Sequence, residues 1–322
     1  MKLPSARLIC LLLMGATHGA LQALPFIDAH SQFDDDVSRE RVVKYLARAG
    51  VSQVVLSTRG KVTSGEMLAF GTAYPDCIVP AVRTKGRAYD ENLPGYHKQL
   101  NEQLSQPAYK GMNEIILAHA PKGDRAREVY LDAASAQVQA AMQQAIAKGW
   151  PVVLHYEFRW LTQRYGSAAR VKRMEELNTL LRRYPQHPFA LIHMAQLDPL
   201  DADRLLSAHA NVVFLTSHAN PVKVSESTQP WTDMFVGDEL SPDWKALMLR
   251  YPDRFVFAID NVWPEDWSEK YVHQVAFWRR ALSGLPDEVA HAVAHKNAER
   301  LWRLPPATTE SGCAARKLSN LP

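Results

Sequence analysis

Five residues scattered along this 322-residue chain interrupt or close apolar runs where an ionisable group would be costly to bury alone. His30 lies in "FIDAHSQ", Glu114 in "GMNEI", His155 in "VVLHYE", His193 in "ALIHMA" and Asp260 in "RFVFAID". Three imidazoles and two carboxylates make a nitrogen and oxygen ligand set suited to one divalent metal ion, zinc above all. Such an ion polarises a carbonyl and lowers the pKa of bound water from about 15.7 to about 7. Asp28, two residues before His30, either orients that ring or makes a hydrogen bond that pins the strand end. Gln32, two residues after it, carries a carboxamide, a weaker ligand than an imidazole.

A second tier of residues follows three of these segments. Arg59 stands in "LSTRG", Arg83 and Lys85 in "AVRTKG", and Arg159 in "HYEFRW". Guanidinium forks there suit a carboxylate- or phosphate-bearing small molecule; ordinary solvated loop charge is the alternative. Trp160, Trp231, Trp263 and Trp267 fall in late loops and either wall a cleft or pack among neighbours. His218 closes another apolar run, "NVVFLTSH", within possible reach of the same centre.

The elements that must carry these residues repeat eight times. Short runs rich in Val, Ile, Leu and Phe begin at "LPFIDAH", "VSQVVLST", "CIVPAVRT", "KGMNEIIL", "WPVVLHYEF", "PFALIHMA", "NVVFLTSH" and "RFVFAIDN". Each precedes an amphipathic stretch, near 39–49, 65–74, 94–104, 135–148, 170–183, 201–208, 242–250 and 267–282. Near-continuous apolar strands alternating with helices predict a parallel sheet buried on both faces. Eight such units predict a single α/β domain over 24–304, a (β/α)8 TIM barrel closed by a C-terminal helix within 285–302. No Gly-rich turn follows the first strand, which argues against a dinucleotide-binding open sheet. In a barrel the chemistry belongs at the C-terminal ends of the strands, where all five candidate residues fall.

In this order the segments resemble the amidohydrolase superfamily, in its amidohydrolase-related branch of metal-dependent TIM-barrel hydrolases. The resemblance spans about residues 25–303 and includes the closing "NAERLW". It implies His30, Glu114, His155, His193 and Asp260 as metal ligands, with Asp260 also moving a proton from water to the leaving group. Gln32 departs from the family's first motif, Asp-x-His-x-His, which implies that one metal position is impaired or that the metal has been given up. The resemblance implies hydrolysis of an amide, ester or lactone. Decarboxylases and lactonases of the same branch, and a metal-free barrel that only binds a ligand, are the alternatives.

Composition sets the remaining bounds. A formal net charge of +3 gives no reason to expect a nucleic acid or a membrane surface as partner, and a small-molecule substrate is expected. Residues 1–23, with Lys2, Arg7 and the apolar "LICLLLMGA", have the layout of a secretory signal, so a secreted or periplasmic mature chain without a membrane anchor is expected. Cys77 is expected to be buried as a small apolar residue, and spacing alone does not specify a disulfide with Cys313. The polar residues 305–322 are expected to be a disordered tail.

Overall fold

The computed structural model describes residues 24–316. The candidate signal segment, 1–23, and the last six residues lie outside them. Eight strands run parallel around a closed barrel: β1 (Phe26–Phe33), β2 (Val51–Thr58), β3 (Ile78–Val82), β4 (Ile115–His119), β5 (Val152–Tyr156), β6 (Phe189–Leu191), β7 (Val212–Leu215) and β8 (Phe255–Val256). A two-residue piece, Gly111–Met112, pairs with β3 ahead of β4. Neighbours pair in sequence order. The ring closes where Ala29 N donates to Phe257 O and Asp260 N to His30 O, at 3.1 and 2.7 Å. Helices α1 (Arg39–Ala49), α2 (Ser64–Ala73), α3 (Pro94–Leu104), α4 (Ala136–Lys148), α5 (Phe158–Arg183), α6 (Pro199–Ala208), α7 (Pro242–Arg250) and α8 (Glu269–Ser283) follow the strands in turn.

Local sequence explains where these elements start and stop. Ser38 caps α1 by accepting from Arg41 N, and Thr63 with Glu66 forms a reciprocal capping box on α2. The strands alternate between two apolar layers. Ile27, Ala29, Val55, Val153, Ala190 and Val256 fill the barrel lumen with small and branched side chains, whereas Phe26, Val54, Leu154 and Phe214 face the helices. The closing helix α9 (Asn297–Trp302) and Ala307 plug the lumen from below through Ala298, Leu301 and Trp302.

Three strands are shorter than their apolar runs. β6 stops at Leu191, and His193 to Gln196 then turn through four consecutive left-handed residues, φ 51 to 54°. His218 and Asp260 sit in the same conformation after β7 and β8. Apolar periodicity does not register such a break, because the turn residues are themselves buried.

Residues 305–316 are ordered, contrary to the expected disordered tail. They run back under the barrel: Cys313 N donates to Ser52 O at 2.8 Å, and Ser52 Oγ to Thr308 O at 2.7 Å. Cys77 and Cys313 form a disulfide across 236 residues of sequence, with Cα atoms 4.9 Å apart. Cys77 is buried as expected, but as half of a crosslink. Gly312, at φ 57°, lets this strap touch the barrel, since a Cβ there would lie 2.0 Å from Ser52 O. A crosslink over so long a loop restricts the unfolded chain strongly. Reduction, or Cys313→Ser, is expected to lower stability by about 2–4 kcal/mol, read as a fall in melting temperature with and without dithiothreitol; an unchanged transition would mean that the strap holds by packing alone.

Candidate functional site

The C-terminal mouth of the barrel gathers all five residues singled out from sequence, each buried: His30, Glu114, His155, His193 and Asp260. Residues two apart in a strand share a face, so β1 sends both His30 and Gln32 into the mouth and β5 sends His155 with Glu157 just behind it.

Two halves with different chemistry result. In the first, Glu114 receives the Lys85 ammonium on Oε1 and His155 Nδ1 on Oε2, the latter at 2.5 Å. His155 Nε2 donates to Glu157 Oε1 at 2.8 Å, and Glu157 also takes Lys122 Nζ at 2.8 Å and Ala120 N at 2.8 Å. Burial opposes charge on Glu114 and Glu157. The cations beside them nevertheless hold both well below the ordinary carboxylate range: Lys85 and His155 for Glu114, Lys122 and His155 for Glu157. Burial opposes charge on His155 too, yet the two carboxylates raise it above the ordinary imidazole value. This half is a closed set of ion pairs.

The second half centres on Asp260. His30 Nε2 lies 3.4 Å from its Oδ1, and His193 Nε2 and His218 Nε2 each lie 3.5 Å from its Oδ2. The rings of His193 and His218 stack at 4.2 Å. Burial lowers all three imidazoles below their ordinary value, which keeps them in the neutral, metal-binding form. Ser217 orients His193, its Oγ 3.0 Å from Nδ1. Among the described residues, His30 Nε2 and both ring nitrogens of His218 are buried without a hydrogen-bond partner, and no cationic side chain is bonded to Asp260. His193, His218 and Asp260 bring two neutral nitrogens and a carboxylate within 4.8 Å of one another, a set that fits a single divalent ion, with His30 at the other carboxylate oxygen. Glu114 and His155 also come within 4.8 Å of His193, but their donor atoms are already shared among Lys85, Gln32 and Glu157.

Gln32 joins the halves. Its Nε2 donates to Asp260 Oδ1 at 2.8 Å and to Glu114 Oε1 at 3.2 Å. An amide that donates to both carboxylates supplies between them the positive end that a bridging cation would otherwise supply. Asp28 lies within β1, buried beside His30. Burial raises its pKa to about 6, against hydrogen bonds from Ser31, Ile259 N, His30 N and Tyr271. It bonds the His30 backbone, not the ring, so it pins the turn after β8 to β1.

Above the site lies a cavity of about 740 Å³. Arg59 and Arg83 line it, as do Lys85, Lys122, Trp231 and Trp263. Arg83 donates to the carbonyls of Gly60 and Lys85 and, among the described residues, has no carboxylate partner. The Arg59 guanidinium stacks 4.1 Å from the Trp263 ring. Trp231 packs on His193 and His218, with ring centroids 4.8 and 4.6 Å away. Arg159 is outside the cavity wall; it donates to Trp231 O at 3.1 Å and braces the segment that carries that ring. Trp160 and Trp267 are buried packing residues. Glu157, His119 and Lys122 were missed from sequence. The one available signal was the i, i+2 spacing of His155 and Glu157, which repeats that of His30 and Gln32.

Gln32→Leu should leave two buried carboxylates without their shared donor. A loss of about 1–3 kcal/mol in chemical denaturation is expected; equal stability would remove Gln32 from the charge balance.

A model of the amidohydrolase family matches residues 88–304. No curated protein sequence matches the chain significantly. Among solved structures, a 2,6-dihydroxybenzoate decarboxylase complexed with 2,6-dihydroxybenzoate is 12% identical, with 87% of this chain and 99% of that one covered and a TM-score of 0.56. A dihydroorotase from Campylobacter jejuni is 11% identical over 88% and 84%, TM-score 0.55. An amidohydrolase from Burkholderia multivorans with bound zinc is 14% identical over 87% and 99%, TM-score 0.51. At such identities these likenesses speak for the barrel fold, while the match over 88–304 carries the lineage: the chain belongs to the amidohydrolase family of TIM-barrel enzymes.

Proposed function

We propose that this enzyme is an exported hydrolase that uses one divalent metal ion, zinc best of all, to open an amide, ester or lactone of a small anionic substrate. The observation that carries the reading is the convergence of His30, His193 and His218 on Asp260, with His30 Nε2 and His218 Nε2 otherwise unpartnered. His193, His218 and Asp260 would hold the ion, with His30 beside them on the other oxygen of Asp260. When bound, it would polarise a carbonyl and make water a better nucleophile at neutral pH.

The chain's own groups supply the rest. Asp260 Oδ1 is fixed by Gln32, which leaves Oδ2 to accept a proton from the attacking water and return it to the leaving group. His155, held between Glu114 and Glu157, and Lys85, held on Glu114, keep fixed positive charge beside developing negative charge. Trp231 shields the two stacked imidazoles from bulk water. Arg83 and Arg59 suit a substrate carboxylate or phosphate. Export is supported by the leader-like residues 1–23 and by the Cys77–Cys313 disulfide, which belongs in an oxidising compartment.

Lys85 and His155 already neutralise Glu114 and Glu157 without any ion. That favours, as a second reading, a metal-free lactonase or decarboxylase working with the same Asp260. Metal analysis of the purified mature chain decides between them: about one ion per chain, lost in His218→Ala, is expected, and a metal-free chain that is active on a panel of lactones and aromatic carboxylates would replace the first reading with the second. Asp260→Asn should cut turnover about 10²–10⁴-fold, and wild-type rates would remove the proton-transfer role. Arg83→Gln should raise KM at least about tenfold with kcat less affected, since a lost charged hydrogen bond to bound substrate weakens ground state and transition state alike.

A further inference from the structure

The loop after β4 reaches both into the site and across its mouth. Residues 121–127 line the cavity. From this loop Lys122 points inward, its Nζ 2.8 Å from Oε1 of the fully buried Glu157, 3.2 Å from His119 Nε2, and over the Trp231 ring at 4.9 Å. Three residues on, Arg125 crosses the opening. Its Nη1 donates to Glu265 Oε1 at 2.5 Å, and its guanidinium lies 4.9 Å from the Trp263 ring, both on the loop after β8. The stem of the loop is stiff: Lys122 N donates to Ala126 O at 2.9 Å and His119 Nδ1 to Arg127 O at 3.2 Å, around Gly123 at φ 58°.

At its ends the loop is also tied by Arg127 to Glu91 at 3.2 Å, by Gln229 Nε2 to Pro121 O at 3.4 Å and by Arg164 to Glu128 at 3.4 Å, but the attachments through Arg125 and Lys122 differ most in strength. Arg125 and Glu265 are 57% and 52% exposed, and an exposed ion pair holds little. Glu157 is wholly buried, and withdrawing Lys122 would leave its charge to His155 and one backbone amide. Removing one partner of a buried pair is strongly unfavourable. A weak outer latch and a strong inner pin on one stiff loop describe a segment that opens at the rim and is drawn back from inside.

We infer that residues 121–128 form a lid over the cavity, and that docking of Lys122 on Glu157 sets its closed position. Access to the site and the charge balance around His155 are then one equilibrium: the lid cannot lift fully without stripping a cation from Glu157. The consequence for turnover rests on the proposed function, whereas the lid itself does not.

Limited proteolysis reads the lid with neither substrate nor metal. Lys122, Arg125 and Arg127 are tryptic sites, cut only when the loop is out, and the cutting rate follows the open population. Glu265→Gln keeps all three sites and removes the latch, and should speed cleavage within 122–127 about threefold. Glu157→Gln removes the pin's charged partner and should speed it about tenfold or more. Fragments mapped by mass spectrometry must begin or end inside the loop. Wild-type rates in both variants, or acceleration spread over the whole chain, would overturn the lid. A chain lacking hydrolase activity but cleaved in this pattern would keep the lid and discard only the proposed reaction.

Discussion

Three carboxylates, Glu114, Glu157 and Asp260, are buried at one end of this barrel, and their charge must be answered there. An ionised acid removed from water is tolerated only when it is paired and hydrogen-bonded. The answering groups come from six separate places: His30 and Gln32 in β1, Lys85 after β3, Lys122 after β4, His155 in β5, His193 after β6 and His218 after β7. Apart from His155 and Glu157, two residues apart, each charge is met from another segment, so the mouth is assembled only when the barrel closes. The imbalance that remains lies at Asp260, which among the described residues has no bonded cationic side chain.

The same mouth stores backbone strain. His193, His218 and Asp260 all carry positive φ, and His193 opens a run of four such residues without a glycine. A left-handed residue with a side chain costs roughly 1–2 kcal/mol. The turn is held by hydrogen bonds from Trp160 N to Gln196 and from His193 N to Ser217 Oγ, and by complete enclosure. The opposite end of the barrel is where the chain is most firmly tied. There Trp302 and Leu301 plug the lumen, and the disulfide holds the C-terminal strap. A stable base and a strained, charged mouth is the usual division of labour in this architecture.

What could be read along the chain follows from how each residue meets its environment. Eight apolar runs and their helices were legible because burial on both faces of a parallel sheet forces near-continuous hydrophobicity. His30, Glu114, His155, His193 and Asp260 were legible because a polar residue inside such a run has to have a partner. Lys122 and Glu157 were not, since a lysine in a polar loop and a glutamate at a strand end look the same whether solvated or buried. Arg159 read like Arg59 and Arg83 but braces the Trp231 backbone instead. Residues 305–316 read as disordered because their polar composition hides a strap fastened by one cysteine and a few backbone hydrogen bonds.

The sequence by itself determined the barrel, the order in which it presents its ionisable residues, and the substitution of an amide for an imidazole at Gln32. Periodicity and the cost of burying charge are local enough to be visible in a string of letters. Only the tertiary structure decided the partition of those residues: Glu114 and His155 joined to Lys85 and Glu157 in ion pairs, with His218 brought to Asp260 beside His30 and His193. Which charge meets which depends on ångström distances between segments up to 230 residues apart, such as Asp260 and His30, and those distances exist only once the strands have closed the ring.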